Sequence, residues 1–168
     1  LTKINEGSPD VIMIPCYYTD AAKIITQARN LGITAKLLGP DGWDSVLGQL
    51  DESNYSVLND CYYCSQFAMP DPGEKLQHFM DAYVTTFNDE ETLNMFAALG
   101  YESMYIIAQA IEAAGSTDSN AITAAMNELV YDGLSAKVDF TAGQDPAREA
   151  IIIQFEDGAE KSLGGYTI

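Results

Sequence analysis

The chain has 168 residues, enough for one domain with a real core or for two small lobes. Hydrophobic residues make up 47% and charged residues 20%, a globular balance, while 25 acids against 8 bases leave a net charge of −17. Such a surface repels phosphate backbones and anionic lipid, which speaks against nucleic-acid binding and suits a protein that stays dispersed, and no apolar run approaches the length of a membrane span.

The opening "LTKINEGSPD" reads as the end of a helix and a loop. The sequence is therefore expected to be a piece of a longer chain, with any targeting segment upstream. "DVIMIPC" (10–16) is a continuous apolar run, the pattern of a strand buried on both faces. In "TDAAKIITQARNLG" that follows, Ala21, Ile24, Ile25, Ala28 and Leu31 fall at helical spacing, with Thr19 as a start cap and Gly32 as the stop. "AKLLG" (35–39) is a second strand, so residues 10–39 predict a parallel βαβ unit with a right-handed crossover. A short helix at about 44–50 and a third strand at about 59–66 extend it.

After the proline-rich break "AMPDPGE" (68–74) the texture turns helical. Residues 74–87 carry Leu76, Phe79, Met80, Tyr83, Val84 and Phe87 on one face. Residues 92–114 form a long helix, apolar nearly all round and so expected to be buried, and 119–130 form a third. "AKVDF" (136–140) and "EAIIIQFEDG" (149–158) read as strands, with a further strand after Gly158. An α/β segment, then helices, then strands again suits two lobes joined by crossing strands better than one doubly wound sheet.

Three cysteines, Cys16, Cys61 and Cys64, are not a disulfide framework. Cys61 and Cys64 stand three apart on a strand and point to opposite faces, unlike a redox or zinc pair. His78, the only histidine, lies on a polar helix face, so no Ser-His or Cys-His nucleophile can be assembled. The window 41–52 lacks the central Gly and spaced oxygens of a calcium loop. Glu90-Glu91 reads as a solvated loop, and Met95, Met104 and Met126 as core gap-fillers.

Parallel strands end on one edge. Just past the first lie Tyr17 and Tyr18, and just past the second lies "LGPDGWD" (38–44), with Asp41 and the only tryptophan, Trp43. If those strands are neighbours, about 4.8 Å apart, two aromatics and a carboxylate share one crevice. Ligands of open α/β sheets bind there. Asp41 is also ordinary turn chemistry, and Tyr17 equally suits half-buried packing. Phe96 suits core packing as well as ligand contact.

"PDVIMIPCYYTDAAKIITQARNLGITAKLLGPDGWDS" (9–45) resembles the branched-chain amino-acid binding proteins of ABC importers, which have the type I periplasmic-binding-protein fold. "FAALGYESMYIIAQAIEAAGS" (96–116) and "YDGLSAKVDFTAGQDPAREAIIIQFEDG" (131–158) continue the likeness in collinear order. The resemblance implies a partial type I α/β fold. Residues 1–66 would be the α/β segment of lobe 2, 67–131 helices of lobe 1, and 132–168 strands returning to lobe 2. The crossings would fall near Cys64–Met69 and Tyr131–Gly133, and the N-terminal half of the protein would be missing. It further implies that Tyr17 and Asp41 contact ligand, Asp41 through an α-ammonium, and that Phe96 touches the ligand side chain. Trp43 either lines the cleft or covers the hinge. Cys16 replaces the usual Gly before the tyrosine pair, which would narrow the cleft.

The implied function is an extracytoplasmic, non-catalytic receptor, in the periplasm or on the cell surface as a lipoprotein. It captures a small amino acid between two lobes and delivers it to an ABC permease, without a cofactor. A fragment of this kind exposes faces that invite self-association. Two rivals remain open: a flavodoxin-like α/β enzyme or regulator with Asp41 as acid or metal ligand, and the ligand-binding domain of a sensor. Against the first stand the missing Gly-rich phosphate loop and the lack of a second acid beside Asp41.

Overall fold

A computed structural model describes residues 1–89, 92–143, 145–146 and 148–167. After a single helical turn, α1 (Thr2–Asn5), the apolar run becomes β1 (Val11–Met13). The Ile14 N–H still donates to Leu38 O at 2.8 Å, and Pro15, which has no N–H, ends the ladder. Helix α2 (Tyr18–Asn30) starts from Tyr17, whose backbone is extended and whose side chain makes no cap bond. Thr19 thus lies inside the first turn and is not the cap the sequence suggested. Gly32, at φ 75, ends the helix as expected. Strand β2 (Lys36–Gly39) follows.

The short helix expected at 44–50 is replaced by tight 3-10 turns at Asp41–Trp43 and Leu47–Gln49, and a longer one at Glu52–Leu58 leads to β3 (Cys61–Ser65). Beyond the prolines come α3 (Glu74–Phe87), α4 (Met95–Ala114) and α5 (Ser119–Met126). Then follow β4 (Val130–Asp132), β5 (Lys137–Asp139), β6 (Glu149–Glu156) and β7 (Ala159–Thr167). Helix α5 stops at Met126, short of the end at 130 that the sequence suggested, and β4 begins at Val130. Glu90 and Glu91, expected as a solvated loop, lie outside the described residues.

These elements form two compact units. The first holds Leu1–Asp71 with Ile151–Gly165. Its sheet runs β1-β2-β3-β6-β7. The first three strands are parallel, and β6 is antiparallel to β3, with Cys61 opposite Phe155 and Ser65 opposite Ile151. The turn between β6 and β7 uses Asp157 and Gly158 at φ 51 and 80, the two left-handed positions that a tight hairpin needs. One face of this sheet buries Ile12, Ile14, Leu37, Cys61, Tyr63, Ile151, Ile153 and Phe155 with Ala21, Ala22, Ile25 and Ala28 of α2. On the other face Val11 and Met13 stay 47% and 56% exposed.

Arg29 ties the unit together where α2 ends. Its Nε donates to Val57 O at 3.2 Å. Its Nη1 reaches Ile33 O at 2.8 Å and Ala35 O at 2.9 Å, and Nη2 reaches Asn59 O at 2.9 Å. One guanidinium thus satisfies four carbonyls at the entries to β2 and β3, a use of its fork that Lys cannot copy.

The second unit runs from Pro72 to Ala150. The Asn94 side chain caps α4 through Ala97 N at 3.1 Å, and Asp118 caps α5 through Asn120 and Ala121 N at 3.1 and 3.0 Å. Strands β4 and β5 pair with each other, antiparallel, in their own two-stranded sheet, so they do not join the five-stranded one. Among the described residues, Glu102 is the buried charge of this unit, at 1% exposure on an otherwise apolar helix face. Its Oε1 accepts from Leu134 N and its Oε2 from Arg148 Nη2, both at 2.7 Å. Any side chain on Gly133 would collide with the Glu102 carboxylate and Ala136 O, so glycine is required there. Helix α4 is not buried all round: Tyr101, Met104, Tyr105 and Ile107 are exposed, so Met104 is not the core filler the sequence suggested, whereas Met95 is fully buried.

Candidate functional site

The parallel order β1-β2-β3 puts three strand ends side by side, with β2 in the middle. Tyr17 follows β1 and the Asp41–Trp43 turn follows β2. Cys64 lies on β3, one residue past Tyr63, the partner of Gly39. The turn is tight: Trp43 N–H donates to Pro40 O at 3.1 Å and Asp44 N–H to Asp41 O at 3.0 Å.

It also packs closely on the neighbouring strand end. A Cβ placed on Gly42 would lie 3.1 Å from both Cys16 O and Tyr17 Cδ1, so the turn rests on the tyrosine. Tyr17 keeps 66% of its surface exposed. The half-buried Asp41 side chain makes no hydrogen bond or ion pair among the described residues. The turn is therefore held by backbone and by Trp43, and the carboxylate is left available.

Trp43 is fully buried, and its Nε1 donates to Ile14 O at 3.1 Å. Its indole lies where a Cβ on Gly39 would be, which explains the glycine before the turn. Here the ring presents no face to a solute. It bolts the turn after β2 to the end of β1 and so fixes where Asp41 stands. Tyr18, the second tyrosine, packs against the core cluster.

Two thiols border the crevice. The register that sets Tyr63 opposite Gly39 puts Cys64 level with the start of the Asp41 turn, and burial first, and then the Asp41 carboxylate, push its thiol up. Burial and then Asp20 push the Cys16 thiol up, while the nearby Trp43 N–H draws it down. All three cysteines are free, and β2 separates Cys16 from the strand that carries the other two. Cys64 is a residue that sequence reasoning passed over. The parallel register of β2 and β3 carries it to the crevice, and a C-x-x-C on a strand gives no hint of that.

A second cluster was also missed. Glu160 on β7 is pushed up to about 7, first by burial and then by Asp44, while the Tyr63 hydroxyl draws it down. Asp44 is 6% exposed and Tyr63 3%. No sequence pattern links residues so far apart along the chain.

Tyr17, Asp41 and Trp43 are thus brought together in the first unit, while Phe96 belongs to the second, as the half-buried second residue of α4. His78 is exposed, as its polar helix face suggested. Among the described residues, no group of three or more His, Cys, Asp or Glu could hold a metal ion, and no helix is long and apolar enough to cross a membrane.

Solved structures share this fold. The substrate-binding protein LivJ of a branched-chain amino acid transporter from Streptococcus pneumoniae, solved with isoleucine, is 27% identical and superposes with a TM-score of 0.75 over 95% of this chain and 44% of that one. The leucine-binding protein LivK of Thermotoga maritima, at 23% identity, has a TM-score of 0.83 over 98% of this chain and 46% of that one. A solute-binding protein of an ABC transporter from R. palustris, solved with benzoate, shares the fold at 15% identity and TM-score 0.81, over 99% of this chain and 46% of that one. The chain therefore spans a little under half the length of these relatives, and the fold is the type I α/β arrangement in part. No curated relative matches it. Residues 1–160 match the periplasmic binding protein family, and the chain belongs to that family.

Proposed function

We propose that this chain supplies one wall of the ligand site of an extracytoplasmic solute-binding protein, whose ligand is a small amino acid, branched-chain or similar. In the whole protein the ligand would be held between two lobes and delivered to an ABC permease, with the lobe portions absent from this sequence supplied by the rest of the polypeptide. The protein would be a receptor and not a catalyst. Closure would follow mass action, because the ligand favours the state in which both lobes touch it.

The observation that carries this reading is the unpaired Asp41 carboxylate, held beside the exposed Tyr17 ring at the carboxyl edge of a parallel sheet. A carboxylate there suits an ammonium group, and a cation near an aromatic face gains about 0.5–2 kcal/mol more. We assign Tyr17 as a wall, Asp41 as the ammonium partner and Phe96 as a contact for the ligand side chain. Trp43 positions the turn. Cys16 and Cys64 narrow the crevice on either side of Asp41.

A titration of the 15N-labelled chain with L-leucine and L-isoleucine tests the reading. With one wall only, binding should be weak. Shifts should gather on Tyr17, Asp41, Gly42 and Cys64, and vanish with Asp41→Asn. N-acetyl-leucine, which lacks the ammonium, should leave those signals in place. If it perturbs them as strongly as leucine does, the assignment of Asp41 is wrong.

A further inference from the structure

The second unit contains a cavity that owes nothing to the Asp41 edge. Rings line the seam of α3 and α4 as a ladder. Tyr83 stands 4.7 Å from Phe87 and 6.0 Å from Phe79, Phe79 stands 5.0 Å from Tyr101, and Tyr101 stands 4.7 Å from Tyr105. Helical spacing produces the run, because residues four apart stack on one face. Where the ladder reaches β4, Phe79, Tyr101, Tyr105 and Tyr131 enclose a space of about 270 Å³. Phe79 and Tyr131 are 8% and 7% exposed and make its inner wall, while Tyr101 and Tyr105, at 39% and 49%, leave it open on one side.

Its polar groups restrict what fits. Lys75 Nζ and Asp132 Oδ2 meet at 2.7 Å among the lining residues, so the two charges neutralise each other. Glu102, close to Tyr131, is already paired with Arg148. An incoming anion would meet Asp132, and an incoming cation Lys75, so neither gains a net partner. The Asp132 carboxylate oxygens retain lone pairs for a donor. The ring planes at the mouth are tilted by 46–50°, a wedge that receives a flat ring in offset or edge-to-face contact. The volume equals about nine waters at roughly 30 Å³ each, room for one ring and a small substituent.

We propose that this cavity is a binding site for a neutral, single-ring aromatic compound with one hydrogen-bond donor, of the phenol class. The ring lies against Tyr101 and Tyr105, and the donor reaches Asp132. The site is separate from the amino-acid reading and does not depend on it.

The test is titration of the 15N-labelled chain with p-cresol, followed on the amides of Phe79, Tyr101, Tyr105 and Gly133. These should move together and saturate. Cyclohexanol keeps a hydroxyl and a six-membered ring but has no π face, and should bind several-fold more weakly. Benzoate should bind more weakly too, because it has no donor for Asp132 and its charge gains no net partner beside the Lys75–Asp132 pair. Ala82 lines the cavity on an exposed face of α3, so Ala82→Phe fills the mouth without disturbing the core. It should weaken p-cresol about tenfold, the loss expected when a ring contact of about 1.4 kcal/mol is blocked. Tyr105→Leu, which keeps bulk and removes the ring, should do the same. Shifts that fail to saturate, equal affinity for cyclohexanol, or undiminished binding by the Ala82→Phe chain would overturn the proposal.

Discussion

Replacing Glu160 by Gln should stabilise the protein at neutral pH and leave it almost unchanged in acid. Glu160 is half-buried on β7, the Asp44 charge and the Tyr63 hydroxyl act on it, and no cation is among the groups that shift it. Burial, and then the Asp44 charge, raise its carboxyl from 4.5 to about 7. The folded state therefore holds this proton more tightly than the unfolded chain does. Stability is fully present below pH 4.5 and declines as pH rises towards about 7, after which the loss is complete. The gap between 4.5 and about 7 corresponds to about 3 kcal/mol at 1.36 kcal/mol per pH unit, and partial solvent access brings it nearer 2.

Gln keeps the shape and the neutral state, so the variant should escape this decline. Asp132 and Asp139 are drawn down, chiefly by hydrogen bonds from Lys75 and Thr141, and run the other way, but they are common to both proteins and cancel. Urea unfolding at pH 4.5, 6, 7 and 8 is the assay. The two curves should coincide in acid and separate by about 2–3 kcal/mol at pH 8. Parallel curves across that range would show that Glu160 is not held neutral by its neighbours.

Arg29→Met removes a charged donor from four carbonyls and should cost about 3 kcal/mol or more in urea unfolding, whereas a loss under about 1 kcal/mol would mean that water replaces the guanidinium. Gly39→Ala places a methyl inside the Trp43 ring position, so the indole must move. As the only tryptophan, it should report this by a red shift of the blue emission expected from its fully buried site, and an unchanged spectrum would refute the packing. Asp41→Asn should lower the Cys64 thiol pKa and speed its alkylation, because Asp41 is one of the two causes that raise it. Cys61, raised to about 11 by burial, should stay unreactive in both proteins. An unaltered Cys64 rate would separate Asp41 from that thiol.

Residues 10–39 announced themselves because each pattern there answers to one local cause. A continuous apolar run makes a strand, though Val11 and Met13 leave it buried on one face and not on both as expected, a 3.6-residue spacing makes the helix, and Gly32 stops it at φ 75. The same stretch carried the resemblance that pointed to the family, and helix 74–87 was equally plain. What the sequence by itself could not decide was how distant pieces meet. Trp43 reads as a residue free to line a cleft until Ile14 O and Gly39 show that it is the bolt of the turn. Cys64 reads as an inert strand residue until the parallel register sets it beside Asp41. Glu160, Asp44 and Tyr63 come from three separate segments, and Glu102 with Arg148 from two more. Periodicity records only which face of an element is apolar. Which charges share a buried place depends on strand order and register, and those are set by packing between segments that no local pattern connects.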